Sequence, residues 1–131
     1  MSPHIFHYDP PSLADDGDEL SIQVRLQARL KLVAPTIRFV ATPNAGKRSF
    51  GAAARAKREG MSAGFPDANI MWPGGIAFVE IKQKRGSLSP AQIDWLNWLH
   101  KAGFPCGCFR SVDRIIDFLR AAGAPIMERA A

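Results

Sequence analysis

The chain has 131 residues, 47% hydrophobic and 22% charged, which suits one domain able to bury a core without disulfides. No apolar run approaches a membrane span, and the first residues lack the basic-then-apolar order of a signal peptide, so a cytoplasmic, reducing setting is expected. The net charge of +5 is unevenly spread: residues 1–20 carry five acids and no Lys or Arg, which leaves 17 basic against seven acidic residues, or +10, for the remainder, a balance that suits a polyanionic partner such as nucleic acid.

Residues 1–14, rich in Pro and polar types and without periodicity, read as a flexible or loosely docked tail. A helix is expected from Asp15 to Leu32, capped by Asp16 or Asp18 and stopped by Pro35. Leu20, Val24, Gln27 and Leu30 mark its apolar stripe, widened by Ile22, Leu26 and Val33. Thr36–Ala41 has strand composition, and Thr42–Ser49, with Pro43, Asn44 and Gly46, is a loop. An Ala-rich helix from Phe50 to Glu59 closes at Gly60. Two short strands, Ala68–Trp72 and Ile76–Lys82, flank the turn Pro73-Gly74-Gly75. Ser89, Pro90 and Gln92 supply an N-cap, an N1 proline and a capping-box partner for the next helix, which Gly103 ends. Phe104–Arg110 is a fourth strand, and Ser111 caps a last helix ending at Gly123. The order α-β-α-β-β-α-β-α implies an α/β fold with a mixed central sheet flanked by helices, in one domain over residues 15–123 with a C-terminal tail at 124–131. Cys106 and Cys108, two residues apart in a strand, face one side and read as small core residues rather than a bridge or a zinc site. His4, His7 and His100 show no ligand spacing.

The segment GFPDANIMWPGGIAFVEIK carries the chemistry. Glu80 and Lys82 stand two apart in one strand and project to one face. Hairpin pairing then sets Asp67, at the start of the preceding strand, beside Glu80. Two carboxylates about 4 Å apart repel by roughly 4 kcal/mol at an effective dielectric of 20, so something must offset them. Mg²⁺ or Mn²⁺ with oxygen ligands does so, and the carbonyl of Ile81 can add a ligand. Lys82 then serves as base or charge stabiliser for phosphodiester hydrolysis. The plain alternative is a turn aspartate and a solvated strand edge, but IAFVEIK is too apolar for that. Asn44, Lys47 and Arg48 in the loop, and Arg55, Lys57 and Arg58 in the helix after it, suit phosphate contact; Lys84 and Arg85 do so about as well as they suit a solvated turn. Trp95 and Trp98 suit base stacking, but at helical spacing with Leu96 and Leu99 they read first as core or, where exposed, as a dimer surface.

Pro66-Asp67 … Glu80-Ile81-Lys82 resembles the PD-(D/E)xK motif of the restriction-endonuclease-like nucleases. PNAGKRS, GFPDANI, VEIKQKRGSLSPAQIDWLNWLHKAG and FRSVDRIIDFL together resemble the VRR-NUC (virus-type replication-repair nuclease) family over about residues 18–120. The resemblance implies a standalone, homodimeric DNA endonuclease of bacterial or phage type acting on branched DNA such as four-way (Holliday) junctions in DNA repair. It places an acid on the first helix near the metal, matched by Glu19, and a glutamine in the active site, matched by Gln92. A capping amide and a site amide look incompatible in one side chain, and the site role is preferred. The rival readings are a restriction-type or flap and exonuclease activity on the same core, or a non-catalytic DNA-binding module.

Overall fold

The computed structural model describes residues 4–43 and 50–127. In chain order these form β1 (His7–Tyr8), a 3-10 turn (Pro11–Leu13), α1 (Glu19–Val33), β2 (Arg38–Ala41), α2 (Phe50–Arg58), β3 (Ala68–Trp72), β4 (Gly75–Ile81), α3 (Pro90–Lys101), β5 (Cys106–Phe109) and α4 (Val112–Ala121). They build a mixed five-stranded sheet in the order β1-β5-β4-β3-β2. β2, β3 and β4 are antiparallel, β5 runs parallel to β4, and β1 runs parallel to β5. The expected element order is present, with β1 added in front. No described helix is long and apolar enough to cross a membrane.

The β3–β4 hairpin sets the register on which everything else depends. Trp72 pairs with Gly75 across Pro73-Gly74, and Gly74 has φ +91°, a backbone shape suited to glycine after proline in a tight turn. Gly75 must also lack a side chain, since a Cβ there would lie 2.4 Å from the Trp72 indole. From that turn, alternation sorts the sheet into two faces. Ala68, Ile70, Ala77, Val79 and Ile81 meet Ile22, Leu26 and Leu30 of α1 and Ile115, Ile116 and Leu119 of α4. Phe78, Cys106 and Cys108 face the other way, onto Leu96 and Leu99 of α3. Both cysteines are buried free thiols, and burial pushes them up to about 11 and about 12, so they act as small core residues.

Three expectations are corrected. The N-terminal segment from Phe6 onward is no loose tail. His7 and Tyr8 add a strand beside Gly107 and Cys108, Phe6 enters the α3-side core, and Asp9 is buried, accepting from His7 Nε2 and Arg114 Nη2 at 2.8 Å each. Its prolines lie outside the short paired stretch, so composition hid the docking. Phe6→Ala is therefore expected to cost about 3 kcal/mol in denaturant titrations, where a loose tail would give no change. Second, α1 turns Ile22, Leu26 and Leu30 inward and leaves Leu20 and Val24 exposed. Two apolar registers overlap on this helix, and the sheet selects one. Third, residues 124–127 pack: Ala124 and Ile126 join the core and the Met127 amide donates to the Val33 carbonyl at 2.7 Å.

Candidate active site

Asp67 stands one residue before β3, whose first pair is Ala68 with Val79. One step on, Asp67 falls opposite Glu80. Its carboxylate continues the ladder there, with Oδ2 accepting the Ile81 amide at 2.9 Å, while its carbonyl accepts the Thr42 amide at 2.8 Å. The site thus begins where backbone pairing between β3 and β4 gives way to a side chain.

Glu80 and Lys82 follow Phe78 on the α3 side of the sheet. Glu80 is 1% exposed and Lys82 9%. Gln92, at the third position of α3, faces Glu80. Its Oε1 accepts the Ser89 amide at 2.8 Å, and its Nε2 donates to Glu80 Oε1 at 2.9 Å. Capping and site contact therefore coexist, contrary to expectation, because the two ends of one amide serve the two tasks. The other Glu80 oxygen, Oε2, is buried and receives no donor, and the Glu80 carboxyl lies within hydrogen-bond reach of the Asp67 carboxyl, a contact that needs a proton on one of them.

Electrostatics express the same crowding. Burial first, then the neighbouring Asp67, push Glu80 up to about 9, against a smaller downward pull from Lys82. Two carboxyls this close and this withdrawn from water are held together by a shared proton or by a cation between them. Among the described residues no group of three or more Asp, Glu, His or Cys gathers as a metal cluster. The donors that fit are the pair Asp67 and Glu80, with the remaining positions left to water, phosphate and the Ile81 carbonyl.

These groups open into a cleft of about 350 Å³, whose rim brings Glu19 from the start of α1 together with Thr42, Phe65 and Ser89. Asp18 caps α1 by accepting the Ser21 amide, which sets Glu19 at the first helical position. A Cβ on Gly86 would lie 3.1 Å from Glu19 Oε2 and 3.3 Å from Lys82 Cδ. Glu19 and Lys82 thus approach the same point of the loop between β4 and α3.

The VRR-NUC domain family matches residues 19–113. The chain belongs to that family. Its fold is similar to a solved VRR_NUC domain protein at 22% identity and TM-score 0.65, over 82% of this chain and 88% of that one. A second solved VRR_NUC domain is similar at 23% identity and TM-score 0.56, over 76% of this chain and 94% of that one. No curated protein matches. VRR-NUC membership carries a nuclease-type function.

The VRR-NUC core brings Asp67, Glu80, Lys82, Gln92 and Glu19 around one cleft, with Ile81 between the two charged strand residues. Lys84 and Arg85 are exposed on the following loop, and Lys57 and Arg58 are exposed at the end of α2. Arg55 instead pairs with Glu59 on its own helix at 2.8 Å, so its charge is partly engaged. Asn44, Lys47 and Arg48 lie outside the described residues.

Sequence reasoning missed two parts of the VRR-NUC site. One is the wall at Ser62 and Ala63, just ahead of the GFPDANI motif, a loop with no motif of its own. The other is Arg110. It is wholly buried and donates to the carbonyls of Asp9 (2.9 Å), Gln83 (2.6 Å) and Gly86 (2.8 Å) and to the Tyr8 hydroxyl (3.0 Å). It thereby ties the loop after Lys82 to the N-terminal strand. A basic residue at the end of an apolar strand was the available signal.

Proposed function

We propose that the protein is a metal-dependent DNA endonuclease whose Asp67 and Glu80 hold Mg²⁺ or Mn²⁺. The observation that carries this reading is the buried carboxyl of Glu80, with one oxygen held by Gln92, crowded against the carboxyl of Asp67. A cation bound there withdraws charge from a phosphate oxygen and acidifies nearby water. Asp67, braced by the Ile81 amide, presents its carboxylate in a fixed direction. Gln92 fixes Glu80, so the two acids keep one geometry. Lys82, largely withdrawn from solvent, holds the attacking water or takes its proton, or offsets charge developing on phosphorus. Glu19 stands at the rim as a further ligand, direct or through water.

Lys57, Arg58, Lys84 and Arg85, with Arg55, Asn44, Lys47 and Arg48, suit contact with phosphates on either side of the scissile bond. Family resemblance favours branched DNA such as four-way junctions, cut by a homodimer whose two sites act on symmetric strands. The exposed apolar residues Leu20, Val24 and Leu32, spaced at multiples of four on α1, support a second copy as partner.

The test is cleavage of labelled four-way junction and linear duplex in Mg²⁺, Mn²⁺ or EDTA by wild type and Lys82→Ala. Metal-dependent junction cutting, reduced about 10²–10³-fold by the substitution, is expected. Cutting of linear duplex alone would discard the junction preference. Binding without cutting of either would favour a non-catalytic module.

A further inference from the structure

We propose that Thr42 is a positioning residue for the metal ligand Asp67, with Asn69 aiming the Thr42 hydroxyl. This role rests on the nuclease reading and belongs to the same site, where Thr42 acts through Asp67 rather than on the substrate.

Asp67 lies outside the strands, one residue before β3, where the ladder alone would not hold it. Two peptide groups flank its Cα, and Thr42 holds both. The Thr42 amide donates to the Asp67 carbonyl at 2.8 Å, and the Thr42 hydroxyl donates to the Pro66 carbonyl at 2.6 Å. Peptide groups are planar, so fixing those on either side of a Cα fixes the direction of its Cα–Cβ bond. The Ile81 amide then fixes the far end of the side chain by donating to Oδ2 at 2.9 Å. Backbone and carboxyl of Asp67 are thus held from two sides, and Thr42 supplies the backbone half.

The hydroxyl is itself aimed. Asn69 Nδ2 donates to Thr42 Oγ1 at 3.1 Å and to the Val40 carbonyl at 3.2 Å, so one amide serves both. With Asn69 on the acceptor side of the oxygen, the Thr42 proton points at Pro66. Asn69, Thr42 and Pro66 form a chain in which each donor polarises the next. Strand alternation puts Asn69 within reach: it stands two residues after Asp67 and projects to the same face of the sheet.

Strand formation does not call for these bonds. β2 is the outer strand of the sheet, and of its four residues only Phe39 packs on the core. Its pairing with β3 runs from Arg38–Met71 to Ala41–Ala68. Thr42 lies past that ladder and on the wall of the cleft that holds Asp67, Glu80 and Lys82. Pro66, with no N–H, cannot extend the ladder, and the Thr42 hydroxyl takes up its carbonyl instead. Valine has the shape and strand preference of threonine, so the bonds of the hydroxyl are what separate the two residues at this position.

The test uses the full chain and Mn²⁺ alone as the probe, by titration calorimetry well below the melting temperature. Thr42→Val should weaken Mn²⁺ binding about tenfold, and Thr42→Ser, which keeps the hydroxyl, should stay within about threefold of wild type. Asn69→Ala should weaken binding in the wild-type background and add little to Thr42→Val; equal effects in both backgrounds would overturn the part given to Asn69. A second measurement needs no metal. In EDTA, hydrogen exchange of the Ile81 amide, whose acceptor is Asp67, should speed about tenfold in Thr42→Val but not in Thr42→Ser. The Ala77 and Val79 amides of the same strand should keep their rates. A uniform rise in all three marks general loosening and overturns the proposal. Mn²⁺ affinity or Ile81 exchange that Thr42→Val leaves unchanged overturns it as well, while Mn²⁺ bound by wild type keeps the metal reading standing. Wild type that binds no Mn²⁺ removes that reading and this role together.

Discussion

Glu80→Gln is expected to abolish metal-dependent cleavage, by on the order of 10³-fold or more, while making the metal-free protein more stable. The first effect follows because the cation supplies several kcal/mol of charge stabilisation and each 1.36 kcal/mol is a factor of ten. The second follows from burial. Glu80 is held up near 9 by desolvation and by Asp67, against 4.5 in an ordinary setting. The folded apoprotein therefore keeps a proton that the unfolded chain gives up above about pH 4.5. Its stability is fully present below that pH and is lost progressively as pH rises through about 9. At pH 7 the loss is about 3 kcal/mol. Glutamine has no proton to lose, can still accept from Gln92, and presents an amide N–H where Glu80 faces Asp67.

Denaturant titrations in EDTA at pH 5, 7 and 9 measure this directly. The wild type should weaken across the series, and the gap to Glu80→Gln should widen with pH. Parallel curves would mean that Glu80 is ionised in the apoprotein and that burial is being offset by something else. Cation binding should also release protons near neutral pH, because the ligand form of Glu80 is the carboxylate. Titration calorimetry in buffers of different ionisation heats would detect that release, and its absence would count against Glu80 as a ligand.

The core of this site was legible from residue spacing. Two short strands joined by Pro73-Gly74 leave little freedom, so the register places Asp67 opposite Glu80 and puts Glu80 and Lys82 on one face. Side-chain alternation is a local rule, and nothing distant overrides it in a hairpin this tight. The Gln92 capping box was equally plain, and its place in the site followed from the family resemblance, yet that one side chain does both was not foreseen. Spacing identifies a residue with one role, whereas an amide has a donor end and an acceptor end that can point at different elements. The stripe on α1 was misread because Leu20 and Val24 fit helical spacing as well as Ile22 and Leu26 do, and only the position of the sheet decides between them. The N-terminal strand was missed because its two paired residues have no pattern of their own; they are a strand only because β5 offers an edge.

Arg110→Met is expected to destabilise the protein by about 3 kcal/mol or more, a fall of about 10 °C in melting temperature. The physical reason is that the guanidinium serves four acceptors from two distant parts of the chain: Tyr8 and Asp9 in the N-terminal segment, and Gln83 and Gly86 in the loop after Lys82. Methionine fills similar volume and satisfies none of them. Buried acceptors left without donors cost free energy each. Arg110→Lys should recover only part of the loss, since one ammonium has three donors on a single atom and cannot span a fork of this width. The effect should also reach the cleft. Gly86 packs against Glu19 and Lys82, so freeing the Gln83–Gly86 loop loosens both. Cleavage by Arg110→Lys, measured well below its melting temperature, should therefore fall more than its affinity for duplex DNA. If Arg110→Met instead melts within a degree or two of wild type, the four hydrogen bonds are not what fixes this loop, and the alignment of Lys82 must come from β4 and β5 alone.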